Sequence, residues 1–132
     1  MELAFDVSYE FELADPCGPA EIRGDESAPA RAFAQLYRDY AQCRFTAMPE
    51  SLAPDLAEKW REELEGENGE QTIAELMEVV GMVPRELDVA VVRSDGSEAV
   101  LTVTFNGDPT TKKEVVMEKL TGGWKLASGL FF

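Results

Sequence analysis

Residues 99–105 read Ala99-Val100-Leu101-Thr102-Val103-Thr104-Phe105. Ala99, Leu101, Val103 and Phe105 share one parity, and Val100, Thr102 and Thr104 share the other. A period of two is that of a strand with one face buried. Toward the N-terminus, Ser94-Asp95-Gly96-Ser97 has the composition of a hairpin turn, and Leu87, Val89 and Val91 alternate before it. Toward the C-terminus, Asn106-Gly107-Asp108-Pro109 predicts a wider turn. Val115, Val116, Met117 and Leu120 follow, Gly122 and Gly123 turn the chain again, and Trp124, Leu126, Ser128 and Leu130 alternate after them. The pattern predicts antiparallel sheet over 85–132. In its third strand both parities are apolar, Val115 and Met117 against Val116 and Leu120. A one-sided sheet alternates cleanly. The face bearing Val115 and Met117 is therefore expected outside, as a homodimer interface or, alternatively, covered by the N-terminal strand and its linker.

Upstream, over residues 28–80, the period is helical. Phe33, Leu36, Tyr37, Tyr40 and Ala41 recur on one face of a helix expected over 28–43, with Ser27 as cap and Pro29 in the first turn. A short turn at 49–52 and a helix over 54–65 carry Leu52, Leu56, Trp60 and Leu64, and Gly66 stops the helix. Asn68 and Gln71 have capping-box spacing before a helix over 69–80, built on Ile73, Leu76, Met77 and Val80. Residues 1–14 alternate as a leading strand, with Phe5, Val7, Tyr9 and Phe11 on its apolar side. A Pro- and Gly-rich linker over 15–27 joins it to the helices. The whole reads as one domain over 1–132, of class α+β.

Composition excludes more than it assigns. The 132 residues hold 26 acidic and 12 basic side chains and no histidine, for a net charge of −14. The only adjacent basic pair is Lys112-Lys113, which offers no cluster for nucleic-acid phosphates or an anionic membrane. No apolar run approaches the ~20 residues of a membrane span. Without histidine, Ser-His-Asp and Cys-His machinery is impossible within the chain, and zinc would have only two cysteines and carboxylates. No phosphate-binding loop, dinucleotide fingerprint or calcium loop occurs. The sequence therefore points to no cofactor, no metal and no catalytic residue.

Cys17 and Cys43 do not form a Cys-x-x-Cys pair; a single disulfide between them would close a long loop, and two free thiols is the simpler reading. Met1 leads straight into Glu2 with no signal-like apolar stretch. The compartment stays open between the cytoplasm and a secreted or lipoprotein-derived mature domain.

From Ser27 onward, the order of three helical pieces and four strands closing on Gly122-Gly123-Trp124-Lys125-Leu126 resembles the nuclear-transport-factor-like, or cystatin-like, superfamily. It is most similar to small bacterial domains that end in a Gly-Gly-Trp-Lys hairpin. The leading strand departs from that pattern. The resemblance implies a curved antiparallel sheet wrapped, cone-like, around the first helix, with a cavity at its open end. Tyr37, Tyr40, Arg44 and Trp60 are then the candidate ligand-binding residues, for a small, largely apolar molecule. Aromatic side chains on helix faces are equally the usual filling of a core. Asp88 alternates with Leu87 and Val89, so solvent is its default. The expected function is a non-catalytic binding or assembly domain. The alternative is a small isomerase, cyclase or dehydratase using a buried carboxylate or tyrosine.

Overall fold

Strand β1 (Glu21–Gly24) is followed by helix α1 (Ala28–Ala41), a 3-10 segment (Phe45–Ser51), α2 (Pro54–Glu65) and α3 (Gly69–Val80). Four strands complete the order: β2 (Glu86–Ser94), β3 (Glu98–Phe105), β4 (Asp108–Leu120) and β5 (Gly123–Ser128). The computed structural model describes residues 17–129. The expected leading strand over 1–14 and the strand-end residue Leu130 lie outside the described residues.

The class is α+β, with the sheet curled into a half-barrel. Its strands run in the order β1-β2-β3-β4-β5. Three pairings are antiparallel, as expected, but β1 runs parallel to β2, with Ile22 opposite Leu87, so the sheet is mixed. The segment read as a linker thus contributes an edge strand. Gly24 ends it with φ +114, where a Cβ would lie 2.2 Å from the Val89 carbonyl oxygen. Only glycine fits that approach. The pairing slips between Val91 and Arg93, Val103 and Phe105, and Val116 and Met117. Such bulges bend a strand and increase its twist, which curls the sheet.

The wider turn expected at 106–109 is a tight one. Phe105 pairs with Asp108, and Asn106 and Gly107 between them have φ values of 52 and 73. Asn-Gly with both residues at positive φ is the turn that matches strand twist. Strand β4 therefore starts at Asp108 and includes Pro109.

The inward face carries Leu87, Val89, Ala99, Leu101, Val103, Val115, Met117 and Leu126, all buried. This corrects the expected dimer face. Val115 lies opposite Leu101 and Met117 opposite Ala99, both inward residues of β3, so register turns Val115 and Met117 into the core. Outside stand Val100 and Val116, which pair with each other, and the exposed Val92.

Helix α1 lies across the concave face, and Phe33, Leu36 and Tyr37 are fully buried there. It ends at Ala41 rather than at residue 43, because Cys43 turns to φ 65. Ser27 holds the cap position without a side-chain bond; its own N–H is held by Asp25 Oδ1 at 2.7 Å. The short turn expected at 49–52 is longer, running from Phe45 with Pro49 inside. It is stitched to β5 by the Ala53 N–H, which donates to the Leu126 carbonyl at 2.8 Å. Helices α2 and α3 keep their expected bounds. The Asn68–Gln71 capping box is not made: Asn68 has no side-chain cap bond, and Gln71 reaches Glu75 at 3.4 Å.

Cys17 and Cys43 are joined in a disulfide, their Cα atoms 5.2 Å apart, which corrects the reading of two free thiols. The bond ties the chain just before β1 to the turn after α1.

Candidate functional site

Helical spacing places Tyr37 and Tyr40 on the buried face of α1 beside Phe33. The 3-10 segment brings Phe45 next to them, and α2 presents Trp60. The rings of Phe33, Tyr37, Tyr40, Phe45 and Trp60 form one file, with successive centroids 6.2, 6.2, 6.4 and 6.4 Å apart. Tilted and edge-on contacts at this spacing are favourable ring geometries. All five side chains are core residues.

The polar ends of Tyr37 and Trp60 are engaged within the protein. The Tyr37 hydroxyl donates to the Pro84 carbonyl oxygen at 2.8 Å. The Trp60 indole N–H donates to the Phe45 carbonyl oxygen at 2.8 Å. Burial pushes the Tyr37 phenol well above its ordinary range, and the Tyr40 phenol upward as well. A raised phenol stays protonated at neutral pH and is no general base there.

Of the four candidates, the structure brings Tyr37, Tyr40 and Trp60 together and sets Arg44 apart. Arg44 is half-exposed at the end of α1, and its Nε donates to Asp39 Oδ1 at 2.9 Å. Asp39 is the one buried charged residue among the described residues, and the same oxygen accepts from Gln35 Nε2 at 3.0 Å. The helix-face periodicity gave no reason to single out Asp39, since it reads there as one more surface acid. Asp88 meets Arg23 Nε at 3.4 Å; Arg23 also faces Glu21 and Glu86 at 3.9 and 3.6 Å. Exposed pairs of this kind contribute little to stability.

Arg85 carries no sequence signal, yet it gathers three carbonyl oxygens. Its Nη1 donates to Gly18 at 2.7 Å and to Ala41 at 3.1 Å, and its Nη2 to Val80 at 3.2 Å. Ala41 and Val80 are the last residues of α1 and α3, so the cation sits where both helix dipoles are negative. Phe45, the ring linking Tyr40 to Trp60, was also invisible in the sequence, because it precedes Pro49 outside any periodic segment.

Two surface clefts lie elsewhere. One of about 680 Å³ runs along Leu52, Pro54, Lys119, Leu120 and Lys125, and Lys125 Nζ also donates to the Glu50 carbonyl. Another of about 470 Å³ is lined by Pro19, Ile22, Arg38 and Arg85. Neither includes Tyr37, Tyr40, Arg44 or Trp60. Among the described residues, no three His, Cys, Asp or Glu side chains gather as a metal site would need, and no helix is long and apolar enough to cross a membrane. No protein-family model, curated protein or solved structure matches the chain.

Proposed function

We propose that this chain is a non-catalytic assembly domain whose interior is structural and whose function resides on its surface. The observation that carries the reading is the ring file from Phe33 to Trp60, buried, with Tyr37 and Trp60 hydrogen-bonded to backbone carbonyls, where the resemblance expects an open cavity. Asp39 supports it, because its carboxylate is held by Arg44 and Gln35. A catalytic acid must instead present itself to a substrate. The likeness to nuclear-transport-factor-like domains belongs to the same proposal. The curled sheet over α1 supports it, and the parallel edge strand β1 departs from it. The Cys17–Cys43 disulfide supports action in an oxidising compartment, in favour of the secreted or lipoprotein-derived alternative.

The test uses Trp60 as reporter in a Trp124→Phe background. Small apolar and carbonyl compounds are titrated while emission and melting temperature are followed. The expected result is no saturable change. A saturable response that Tyr40→Phe abolishes would restore the ligand pocket, and turnover of a carbonyl compound would restore the enzyme.

A further inference from the structure

Helix α3 is apolar over a broad arc, yet of its twelve residues only Gly69 and Val80 are buried. It packs against α2. Its last turn and the turn beyond leave Met77, Val79 and Met82 exposed by 37%, 46% and 79%. Ile73, Leu76 and Val83 beside them are half-buried. Residues two apart on a helix face different ways, so Met77 stands on one flank of α3, while Val79 lies on the other with half-buried Leu76 and, in the turn beyond, Met82, whose N–H donates to the Val79 carbonyl. Clustered apolar exposure of this kind marks an interaction surface. Methionine suits it, because its unbranched chain adapts to a partner's shape.

The charge around the patch selects the partner. Between Pro54 and Val80 the chain carries nine acidic and two basic side chains. All nine carboxylates are exposed. Among the described ion pairs none involves any of them. Glu75 and Glu78 are interleaved with Leu76, Met77 and Val79. Glu58 and Glu62, Glu62 and Glu65, and Glu75 and Glu78 stand at helical-neighbour spacing, where like charges repel. A cationic partner relieves that repulsion as it covers the apolar side chains. A second copy would double it, and an anionic membrane would be repelled.

We infer that the α2–α3 hairpin docks a basic amphipathic helix of another protein, its apolar stripe on Leu76, Val79 and Met82 and its Lys or Arg side chains against Glu75, Glu78 and the α2 carboxylates. Helix-on-apolar-face recognition reads anchors at i, i+3, i+4 and i+7. The inference rests on the assembly reading and names the partner class for it.

The experiment titrates the oxidised 132-residue chain with a labelled synthetic Lys/Leu peptide of ~18 residues with helical spacing. A second peptide has the same composition in scrambled order. The expected result is saturable binding that weakens about tenfold or more for the scrambled peptide. Val79→Ser with Met82→Ser, both exposed positions, is expected to weaken the ordered peptide about tenfold, and Glu75→Gln with Glu78→Gln to flatten its salt dependence. Val92→Ser, exposed on the opposite side of the sheet, is expected to leave binding unchanged. Equal binding of the two peptides, or indifference to the Val79 and Met82 substitutions, would overturn this docking surface and leave the assembly reading intact. A peptide-independent Trp60 response to small molecules would overturn the assembly reading instead.

Discussion

The Tyr37 hydroxyl donates to the carbonyl oxygen of Pro84 at 2.8 Å, joining the buried face of α1 to the turn that leads into β2, 47 residues away. The bond exists only while the phenol is protonated, and burial raises the Tyr37 and Tyr40 phenols in the folded state. In the unfolded chain they titrate near the ordinary value of about 10. Stability from this source is therefore complete below about pH 10 and is lost as pH rises through the folded-state values. Urea midpoints measured from pH 8 upward should fall beyond pH 10. Tyr37→Phe should start less stable by about 1 kcal/mol and show a shallower alkaline decline. An alkaline slope identical to the parent's would contradict this account of the phenol.

The Cys17–Cys43 disulfide closes a loop across 26 positions and holds the start of the described chain against the end of α1. Cross-links of this size typically stabilise by about 2–4 kcal/mol. Adding reductant, or substituting Cys17→Ser, should lower the melting temperature, and the two treatments together should do no more than either alone. Additive losses would show that Cys17 contributes by packing rather than by the bond.

Gly69 sets the corner between α2 and α3. A Cβ there would lie 2.1 Å from the Leu64 carbonyl oxygen. Helix propensity alone favours alanine over glycine by about 1 kcal/mol. The clash reverses that sign, so Gly69→Ala should destabilise by about 1–3 kcal/mol in a denaturant titration. A stabilised Gly69→Ala protein would mean that the hairpin opens without cost.

Arg85 holds Gly18, Ala41 and Val80 with a planar fork that lysine cannot reproduce. Arg85→Lys keeps the charge and should still cost about 1–3 kcal/mol, because carbonyls at two helix ends lose their donor. Equal stability of Arg85→Lys and parent would reduce the contribution to charge alone.

What could be read in advance followed from local rules. Pro54, Gly66 and Gly81 punctuate α2 and α3, so their limits were legible. The alternation of Ala99, Leu101 and Val103 identified an inward face because polar threonines occupy the other parity. Strand β4 lacks that contrast: Val115, Val116 and Met117 are consecutive, and only pairing with Leu101 and Ala99 decides which of them turn inward. Strand β1 is four residues long, inside a segment rich in turn formers, and exists because Val89 and its neighbours accept it as a partner. At the candidate site, the tyrosines and Trp60 were legible as apolar-face aromatics. Arg85, Asp39 and Phe45 were not, because their importance comes from groups distant in sequence.

The Arg85 clamp also bears on the order of events in folding. Its acceptors stand 67, 44 and 5 positions away along the chain. The helix ends and the edge-strand entry must all be in place before the guanidinium can hold them together. Contacts that need such long loop closures repay their entropy only once the rest is assembled. Arg85 is thus a latch that closes late, and its removal should act mainly on the unfolding rate while leaving the folding rate nearly untouched.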